Sequence, residues 1–438
     1  MLAQEQLAIS NLGPCTIPSP LGLSTAPGDG CSDYMRNEMR LLYEPRFCQG
    51  DEVDPLSIEL AGPREAIYFR PEESKAAIVT CGGLCPGINN VIRALVQELQ
   101  FHYGVKQILG IRYGYAGLNP AVARPPLALD AEAVSSIHHQ GGTILGTSRG
   151  PQEPRVTVDY LQSEGINLLF CIGGDGTQRG AHAIAEEVAR RGLAIAVVGI
   201  PKTIDNDVKF CFSTFGYFTA VAEAELAIDR AHVEAKSVLN GVGLVKLMGR
   251  EAGFIAAAAT IASGEVNFCL IPEEPFALDG PNGLLERLRR RLTAREHAVL
   301  VVAEGAGQHL LADLPGGVDA SGNARLGDVG YFLKMQIENF CRDQNIPVSV
   351  KYFDPSYQIR SVPAAAVDSL LCERFARAAV HAAMAGKTDV LIGLWHNQLI
   401  HVPLEVATGQ KKQLDLEGEL WASVRAVTGQ GFWNRSGE

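Results

Sequence analysis

The chain has 438 residues, a net charge of −11, 47% hydrophobic residues and 20% charged residues. This length predicts two or three domains, and the hydrophobic content is that of a globular protein, which excludes wholesale disorder. The acidic balance argues against nucleic acid and membrane surfaces as partners, because both are polyanionic. A polyanionic small substrate remains compatible with the composition if its pocket is locally basic.

The sequence shows no signal for a membrane span, for secretion or for a cysteine-based zinc site. The longest uncharged run after Glu251, residues 252–264, is far shorter than the ~20 apolar residues of a membrane span. The N-terminal residues lack a basic stretch followed by an apolar core, so no signal peptide is predicted. The ten cysteines are scattered, and the one close pair, Cys81 and Cys85, has no second pair or nearby histidine to form a zinc site. Reduced thiols in a cytoplasmic protein fit this pattern best.

The pattern of predicted elements changes at about residue 75. Residues 1–70 are predicted to be an irregular N-terminal extension, because residues 11–33 are rich in glycine and proline and show no periodicity. Beyond that point, short unbroken apolar runs alternate with helix-like stretches such as 91–103 and 181–191. The runs are 76–80, 167–172, 193–200, 243–247, 298–303 and 389–394. Such runs are typical of strands buried on both faces of a parallel sheet, so the sequence predicts an α/β fold.

The first candidate site is the glycine-rich stretch CGGLCPGINN after the run 76–80, which includes Gly82. Glycines at this position let backbone N–H groups approach a phosphate, and the following helix dipole assists. A tight strand-to-helix turn without a ligand explains the same residues. The stretch has neither the Walker A spacing nor the dinucleotide-binding GxGxxG spacing.

The second candidate is GGDGT, residues 173–177, which follows the run 167–172. In such a loop, Asp175 could reach Mg²⁺ while the backbone binds phosphate oxygens. The alternative is that Asp175 is simply the N-cap of the next helix.

The third candidate is PKTIDND, residues 201–207, which follows the run 193–200. Asp205 and Asp207 are two residues apart, with the hydroxyl of Thr203 and the ammonium of Lys202 nearby. A solvated acidic loop is the alternative, but so many polar and charged side chains are unusual at the edge of a sheet.

Further cations and a carboxylate also follow predicted strands. Arg250 could clamp a phosphate, although a single arginine after a strand often forms a surface ion pair. Glu304 follows the run 298–303, Tyr357 and Arg360 follow the segment 351–355, and Arg149 closes GGTILGTSRG. Phosphoryl transfer requires this combination of glycine loops, an aspartate able to bind a metal ion, a candidate base and several cations.

Seven ordered motifs resemble those of the phosphofructokinase family. They are GGLCPGINN, GGTILGTSRG, GGDGT, PKTIDND, KLMGRE, AEG and YQIR, and they cover most of residues 75–400. The similarity is to the long-chain branch, which resembles the pyrophosphate-dependent members. It implies two Rossmann-like α/β domains with mostly parallel sheets facing across an active-site cleft. The nucleotide-binding domain would be 71–215, completed by part of 361–405, and the fructose 6-phosphate domain would be 216–360, completed by 406–438.

The resemblance also implies residue roles. Nucleotide phosphates would be held by Gly82, Arg149, Gly174, Asp175, Gly176 and Thr177, with Asp175 on Mg²⁺. Asp205 would take the proton of the sugar 1-hydroxyl, Thr203 would hold the transferring group, and Asp207 would support the metal. Fructose 6-phosphate would also contact Met248, Gly249, Arg250, Glu304, Lys351, Tyr357 and Arg360. The short-chain branch has histidine at Tyr357 and arginine at Lys351, and an arginine supplied by a neighbouring subunit falls near Gly241, so the 6-phosphate contacts differ here.

Two positions bear on the phosphoryl donor. Pyrophosphate users have Asp where Gly176 stands and Lys where Lys202 stands, so this chain combines an ATP-type and a pyrophosphate-type residue. We give Gly176 more weight, because a side chain there would occupy the space of the α-phosphate, and Lys202 then becomes an extra cation near the transferring group.

The sequence therefore predicts a glycolytic, Mg²⁺- and ATP-dependent 6-phosphofructokinase that is cytoplasmic and a homodimer or homotetramer. The alternatives are a pyrophosphate-dependent enzyme, a catalytically silent regulatory subunit and an NAD-binding dehydrogenase. The joint presence of Asp175, Asp205 and Arg250 argues against the second, and the missing GxGxxG motif argues against the third.

Overall fold

The computed structural model describes residues 2–50, 54–311, 317 and 325–431. Within these residues the strands are β1 Ile17–Pro18, β2 Arg40–Leu42, β3 Ser57–Glu59, β4 Ala66–Ile67, β5 Lys75–Thr80, β6 Gln107–Ile111, β7 Leu127–Ala128, β8 Leu168–Gly173, β9 Ala196–Pro201, β10 Gly241–Leu247, β11 Phe268–Leu270, β12 His297–Ala303, β13 Ser349–Phe353, β14 Val390–Trp395 and β15 Gln398–Pro403. The α-helices are α1 Ile88–Gln97, α2 Pro154–Ser163, α3 Asp175–Arg190, α4 Tyr217–Lys236, α5 Phe254–Ser263, α6 Leu284–Arg295, α7 Val329–Asp343, α8 Ser356–Ile359, α9 Ala366–Met384, α10 Leu404–Thr408 and α11 Glu419–Thr428.

The chain forms two compact units, each built from three segments. Unit 1 comprises Met1–Thr203, Val208–Gly216 and Val362–Lys411, and unit 2 comprises Ile204–Asp207, Tyr217–Ser361 and Lys412–Glu438. The sequence-based boundaries at residues 215, 360 and 405 are coarser, because they do not separate Ile204–Asp207 from its neighbours. Residues 432–438 of the predicted C-terminal segment lie outside the described residues.

Unit 1 contains a seven-stranded sheet in the order β15-β14-β9-β8-β5-β6-β7. The five strands from β14 to β6 run parallel, and β15 and β7 pair antiparallel at the two ends. Every residue of β8 and β9 is buried, which explains why these strands carry unbroken aliphatic runs. The α/β prediction is thus confirmed, and the apolar runs at 76–80, 167–172, 193–200 and 389–394 correspond to β5, β8, β9 and β14.

Unit 2 contains a four-stranded parallel sheet in the order β11-β12-β10-β13. One face packs on α4, α5 and α11, where Ile255 and Trp421 are fully buried. The other face packs on α6 and α7 through Leu288 and Leu333, which are also fully buried. In the described part of the chain, no helix combines the length and apolar character needed to cross a bilayer.

Residues before β5 are part of unit 1, with β1 paired to β4 and β2 paired to β3. One of their anchors is the carboxylate of Glu59, which lies 2.6 Å from Lys387 Nζ and 2.9 Å from His401 Nδ1. Arg64 also reaches this carboxylate, at 3.1 Å. Burial alone would raise the pKa of Glu59, but His401 and Lys387 outweigh burial and hold it far below its usual range. Burial lowers the pKa of His401 to about 4.

Candidate active site

The carboxyl ends of three neighbouring strands of unit 1 bring the predicted phosphate-binding residues together. Thr80 of β5 lies opposite Ile172 of β8, which lies opposite Ile200 of β9, so the three strands end at the same level. The chain leaving β9 stays bound to β8, because Lys202 N donates to the carbonyl of Gly173 at 3.0 Å. We call these three strand ends, with the residues directly after them, the unit 1 edge.

Gly82 and Lys202 lie in contact at the unit 1 edge. Lys202 is 5% exposed, and its Nζ donates to the carbonyl of Gly83 at 2.6 Å. A Cβ on Gly82 would stand 3.3 Å from that Nζ, and φ of +83° at Gly82 also disfavours a side chain. Gly82 N donates to the carbonyl of Ser148 at 3.1 Å, so the exposed residue Arg149 follows directly at the same edge. The structure therefore places the buried ammonium of Lys202 beside the backbone of Gly82.

Residues 173–177 form no loop, which corrects the sequence-based interpretation. Gly173 ends β8, Gly174 is the N-cap of α3, and the helix begins at Asp175. Asp175 is thus not the N-cap, and its carboxylate pairs with Arg179 one turn along the helix. The first N–H groups of a helix have no partner one turn back in the helix, so the N-terminus of α3 at this strand-to-helix junction has the general features of an anion-binding site.

Gly176 and Thr177, in the same helical turn, differ in exposure. Gly176 is exposed, and a Cβ added there would meet no atom within 4 Å. Thr177 is 6% exposed, and its carbonyl accepts a hydrogen bond from the Tyr115 hydroxyl at 2.7 Å. Position 176 can therefore accept a side chain without disturbing the fold.

Gln178 is a site-supporting residue that the sequence did not suggest. It is 1% exposed, and its amide donates to the carbonyl of Gly173 at 2.8 Å and to that of Ile200 at 3.1 Å. A Cβ on Gly199 would lie 2.1 Å from its side-chain oxygen, so this glycine makes room for it. Gln178 thereby ties α3 to the ends of β8 and β9, but a glutamine in a helix carries no sequence signal for that contact.

A cavity of about 310 Å³ lies beyond the carboxyl end of β6, the neighbour of β5. It is lined by Arg112, Tyr113, Ala116, Gly117, Val122 and Arg124. The guanidinium groups of Arg112 and Arg124 lie 5.5 and 5.9 Å from the centre of the Tyr113 ring. The sequence analysis did not predict β6, so it did not find this pocket of two cations and one aromatic ring.

The segment that carries Asp205 and Asp207 is held by a residue far along the chain. Asn206 is 4% exposed and has φ of +57°, a left-handed conformation that asparagine tolerates better than most residues. Lys412 Nζ donates to Asn206 Oδ1 at 2.9 Å, and Lys412 N donates to the carbonyl of Asp207 at 2.9 Å. Neighbouring Thr203 lies in unit 1, where its carbonyl accepts from the Thr214 hydroxyl at 2.7 Å. Sequence reasoning identified both aspartates but missed Asn206 and Lys412.

The carboxyl ends of β10 and β12 bring together the predicted sugar phosphate residues of unit 2. Leu247 pairs with Ala303, and Glu304 N donates to the carbonyl of Leu247 at 2.8 Å. Met248, Gly249 and Arg250 follow β10, and Gly305 N donates to the carbonyl of Gly249 at 3.0 Å. Gly249 has φ of +124°, and a Cβ there would stand 2.6 Å from the carbonyl of Ala252. We call these strand ends, with the end of β13, the unit 2 edge.

Glu304 lies in a cationic environment. Burial raises the pKa of its carboxyl group, while Arg250, Lys246 and Arg360 act in the opposite direction. The guanidinium of Arg360 lies 4.4 Å from the centre of the Tyr357 ring, which is 72% exposed. The unit 2 edge therefore gathers three cations around a buried carboxylate, on which the nearby carboxylate of Asp354 also acts.

Lys351 is placed differently from the other predicted substrate residues. It lies within β13 opposite Gly243, two residues before the end of the strand. Because side chains alternate along a strand, Lys351 shares the face of Phe353, which packs against the α4–α5 side of the sheet. No contact of this side chain with the unit 2 edge is seen in the described residues, so its substrate role rests on the resemblance.

Protein side chains alone do not form a metal centre in the described residues. Across 2–50, 54–311, 317 and 325–431, no group of three or more His, Cys, Asp or Glu side chains could hold a metal ion. Asp175 belongs to unit 1 and Asp207 to unit 2. Mg²⁺ is usually bound by one or two carboxylates together with substrate phosphates, so a single carboxylate such as that of Asp175 fits a metal that arrives with a nucleotide.

Known proteins match this chain over most of its length. A family model described as phosphofructokinase matches residues 75–383. The ATP-dependent 6-phosphofructokinase of Borreliella burgdorferi is 47% identical over 430 residues, which cover 96% of each chain. The enzyme of the same name from Trypanosoma brucei brucei is 45% identical over 432 residues, or 98% of this chain and 88% of the relative.

The fold also matches solved structures. The pyrophosphate-dependent phosphofructokinase from Marinobacter aquaeolei superimposes with a TM-score of 0.67 at 21% identity, over 83% of this chain and 92% of that chain. At this identity the likeness concerns the fold alone. The family match and the near full-length relatives go further, and they show that the chain belongs to the phosphofructokinase family.

Proposed function

We infer that this protein transfers the γ-phosphate of ATP to the 1-hydroxyl of fructose 6-phosphate, giving fructose 1,6-bisphosphate and ADP. This is the ATP-dependent 6-phosphofructokinase reaction of glycolysis. The observation that carries the inference is the 47% identity, over 96% of both chains, to a relative with that name. The two strand edges supply the groups that phosphoryl transfer needs, namely backbone donors, cations and carboxylates.

We propose that ATP binds at the unit 1 edge. Gly82, Arg149 and the first turn of α3, Gly174–Thr177, would hold its phosphates, and the exposed, unobstructed position of Gly176 leaves space for them. Lys202, whose ammonium lies beside Gly82, would neutralise charge at the transferring group. The cavity at Tyr113 has the aromatic and cationic lining that suits the nucleoside end of the molecule.

We propose that fructose 6-phosphate binds at the unit 2 edge. Arg250 and Arg360 would bind its phosphate, and Glu304 would accept hydrogen bonds from the sugar hydroxyls. The remaining contacts would be made by Met248, Gly249, Lys351 and Tyr357. The cations around Glu304 support this assignment.

Asp205 would accept the proton of the 1-hydroxyl, and Thr203 would hold the transferring phosphoryl group. The hydrogen bonds of Lys412 to Asn206 and Asp207 support a fixed position for Asp205.

We propose Mg²⁺ as the metal ion that accompanies ATP. Asp175, at the start of α3, would hold the ion together with the phosphates, and Asp207 would support it. The ion would neutralise phosphate charge as the γ-phosphate transfers.

One observation favours pyrophosphate as an alternative donor. Lys202 is the residue found in pyrophosphate users, and its ammonium lies at the glycine that would bind phosphate. We still favour ATP, since Gly176 is the ATP-type residue and the near full-length relatives compared above are named as ATP-dependent.

We also propose a homodimer or homotetramer in the cytoplasm. Helix α4 exposes an apolar stripe, with Phe218, Leu226 and Val233 exposed to 38%, 46% and 70%, and a second copy would cover such a stripe. All ten cysteines are free thiols, which suits a reducing compartment.

A coupled assay tests the proposed function. The purified protein is mixed with ATP, Mg²⁺ and fructose 6-phosphate, and formation of ADP and fructose 1,6-bisphosphate is followed separately. We expect both products in equal amounts, with none formed when fructose 6-phosphate is omitted or when EDTA is added. Release of ADP without the bisphosphate would contradict the proposal.

A further inference from the structure

Lys246 is an unusual residue for its position in the sheet. It is the second-last residue of β10, and every other residue of that strand is buried. Its side chain is 13% exposed, and its Nζ lies 2.8 Å from Asp354 Oδ2 and 3.3 Å from Asp328 Oδ1. The Tyr352 hydroxyl donates to the same Asp328 oxygen at 3.0 Å. One ammonium therefore bridges two carboxylates from different parts of the chain.

Each carboxylate fixes the start of a helix. Asp328 is the N-cap of α7, and its side chain accepts a hydrogen bond from Tyr331 N at 3.1 Å. Asp354 accepts from Ser356 N at 3.3 Å and from the Ser356 hydroxyl at 2.5 Å. Ser356 is the first residue of α8. Lys246 thus connects β10 to the beginning of both helices.

Helix α8 needs such an anchor. It has four residues, far fewer than a helix requires to be stable by itself. Its core contact is Ile359, which is 1% exposed, whereas Tyr357 is exposed to 72%. Arg360, directly after the helix, stacks on Tyr357. The orientation of these two proposed substrate residues therefore depends on how the start of α8 is held.

The charge balance explains why a lysine stands here. Burial alone would lower the pKa of Lys246, but the bonds to Asp354 and Tyr352 outweigh burial and raise it, so the ammonium stays charged. Apolar residues in place of all three charged groups would avoid the desolvation cost, and such replacements are often neutral or stabilising, so stability alone does not account for the charge. The compact ammonium with three N–H donors suits two carboxylates approaching from different directions.

We propose that Lys246 is a positioning residue of the sugar phosphate site, which holds α8, and with it Tyr357 and Arg360, at the unit 2 edge. Without this ammonium, Asp328 and Asp354 would repel each other, and the start of α8 would move away from α7. The proposal rests on the proposed function in naming fructose 6-phosphate as the ligand that loses affinity.

The test compares Lys246→Met with Lys334→Met, a variant with the same change of charge on α7. Lys334 pairs with Glu338 at 3.9 Å, and among the described residues no hydrogen bond or ion pair joins it to Asp328, Tyr352 or Asp354. We expect Lys246→Met to raise the KM for fructose 6-phosphate at least tenfold, with the KM for ATP within twofold and kcat within about threefold. Lys246→Arg should recover part of the loss, and Lys334→Met should match the wild type.

Amide hydrogen exchange without substrates separates failure of this proposal from failure of the proposed function. We expect faster exchange at residues 356–361 in Lys246→Met, with α4 and α5 unchanged. If Lys246→Met does not fold, Asp354→Asn tests the same link at a side chain that is one-third exposed, at 33%. Unchanged exchange in α8, or an equal loss of affinity for both substrates, would overturn the positioning role whatever reaction the wild type performs.

Discussion

Replacing Gly176 with Asp tests the choice of phosphoryl donor. A Cβ at Gly176 meets no atom within 4 Å, and the position is exposed. It is also the second residue of α3, where a carboxylate is favoured by the helix dipole by about 0.3–1 kcal/mol. We therefore expect Gly176→Asp to fold as well as the wild type, so that a change in activity reports on ligand binding and not on stability.

The expected effect on ATP follows from electrostatics. Two like charges about 4 Å apart repel by roughly 4 kcal/mol at an effective dielectric of 20. Because position 176 is exposed, we assume that solvent removes half of this repulsion and leaves about 2 kcal/mol. At about 1.4 kcal/mol per decade, kcat/KM with ATP should fall more than tenfold. Pyrophosphate has no α-phosphate, so its use should not suffer this penalty.

The assay measures kcat/KM for both donors at fixed Mg²⁺ and fructose 6-phosphate, with Gly176→Asn as the matched neutral control. We expect the Asn variant to lose clearly less ATP activity than the Asp variant, because its side chain has the same shape without the charge. Equal losses in the two variants would refute the electrostatic reasoning and point to steric exclusion. An Asp variant with full ATP activity would remove Gly176 from the donor site.

Asp205, Arg360 and Glu59 each give a further prediction. Asp205→Asn should lower kcat about 10²–10⁴-fold with little change in KM, and a kcat within threefold of wild type would exclude its role as the base. Arg360→Ala should raise mainly the KM for fructose 6-phosphate, whereas a collapse of the thermal midpoint would make Arg360 a structural residue. Glu59→Gln should lower the free energy of unfolding by roughly 3–5 kcal/mol in denaturant titrations, because it leaves buried cations unpaired. As the control, Glu44→Gln at an exposed position should change the free energy of unfolding little. The folded-state pKa values of Glu59 and His401 both lie below their unfolded values. The unfolded chain therefore takes up more protons than the folded chain as the pH falls. For this reason the wild-type thermal midpoint should fall as the pH drops from about 6.5 to 4.

The strands that sequence analysis found are those buried on both faces. Strands β8 and β9 are continuous aliphatic runs because no residue in them meets solvent. Strand β6 is a shorter run interrupted by Gly110, where a Cβ would lie 2.4 Å from Leu145. Strand β13 is half-buried along its length, so it gives no unbroken apolar run. Local patterns therefore predict a strand that is long and buried along its whole length better than one that is short, interrupted or half-buried.

The candidate site was predictable where its residues follow strands directly. Gly82, Lys202 and Glu304 lie at strand ends, so their position followed from the parallel sheet alone. Asn206 and Lys412 were missed because their contact joins residues 206 positions apart. The role of Lys246 was missed for the same reason, since nothing near it in the sequence shows that Asp328 and Asp354 converge on its ammonium.

We propose above that ATP is the phosphoryl donor for fructose 6-phosphate. The most direct measurement is the ratio of kcat/KM for ATP to that for pyrophosphate, determined for the wild-type protein with Mg²⁺ and saturating fructose 6-phosphate. We expect ATP to be preferred at least tenfold, because Gly176 leaves space for the α-phosphate. An equal or greater kcat/KM with pyrophosphate would contradict ATP as the donor and would show that Lys202, and not Gly176, determines the donor.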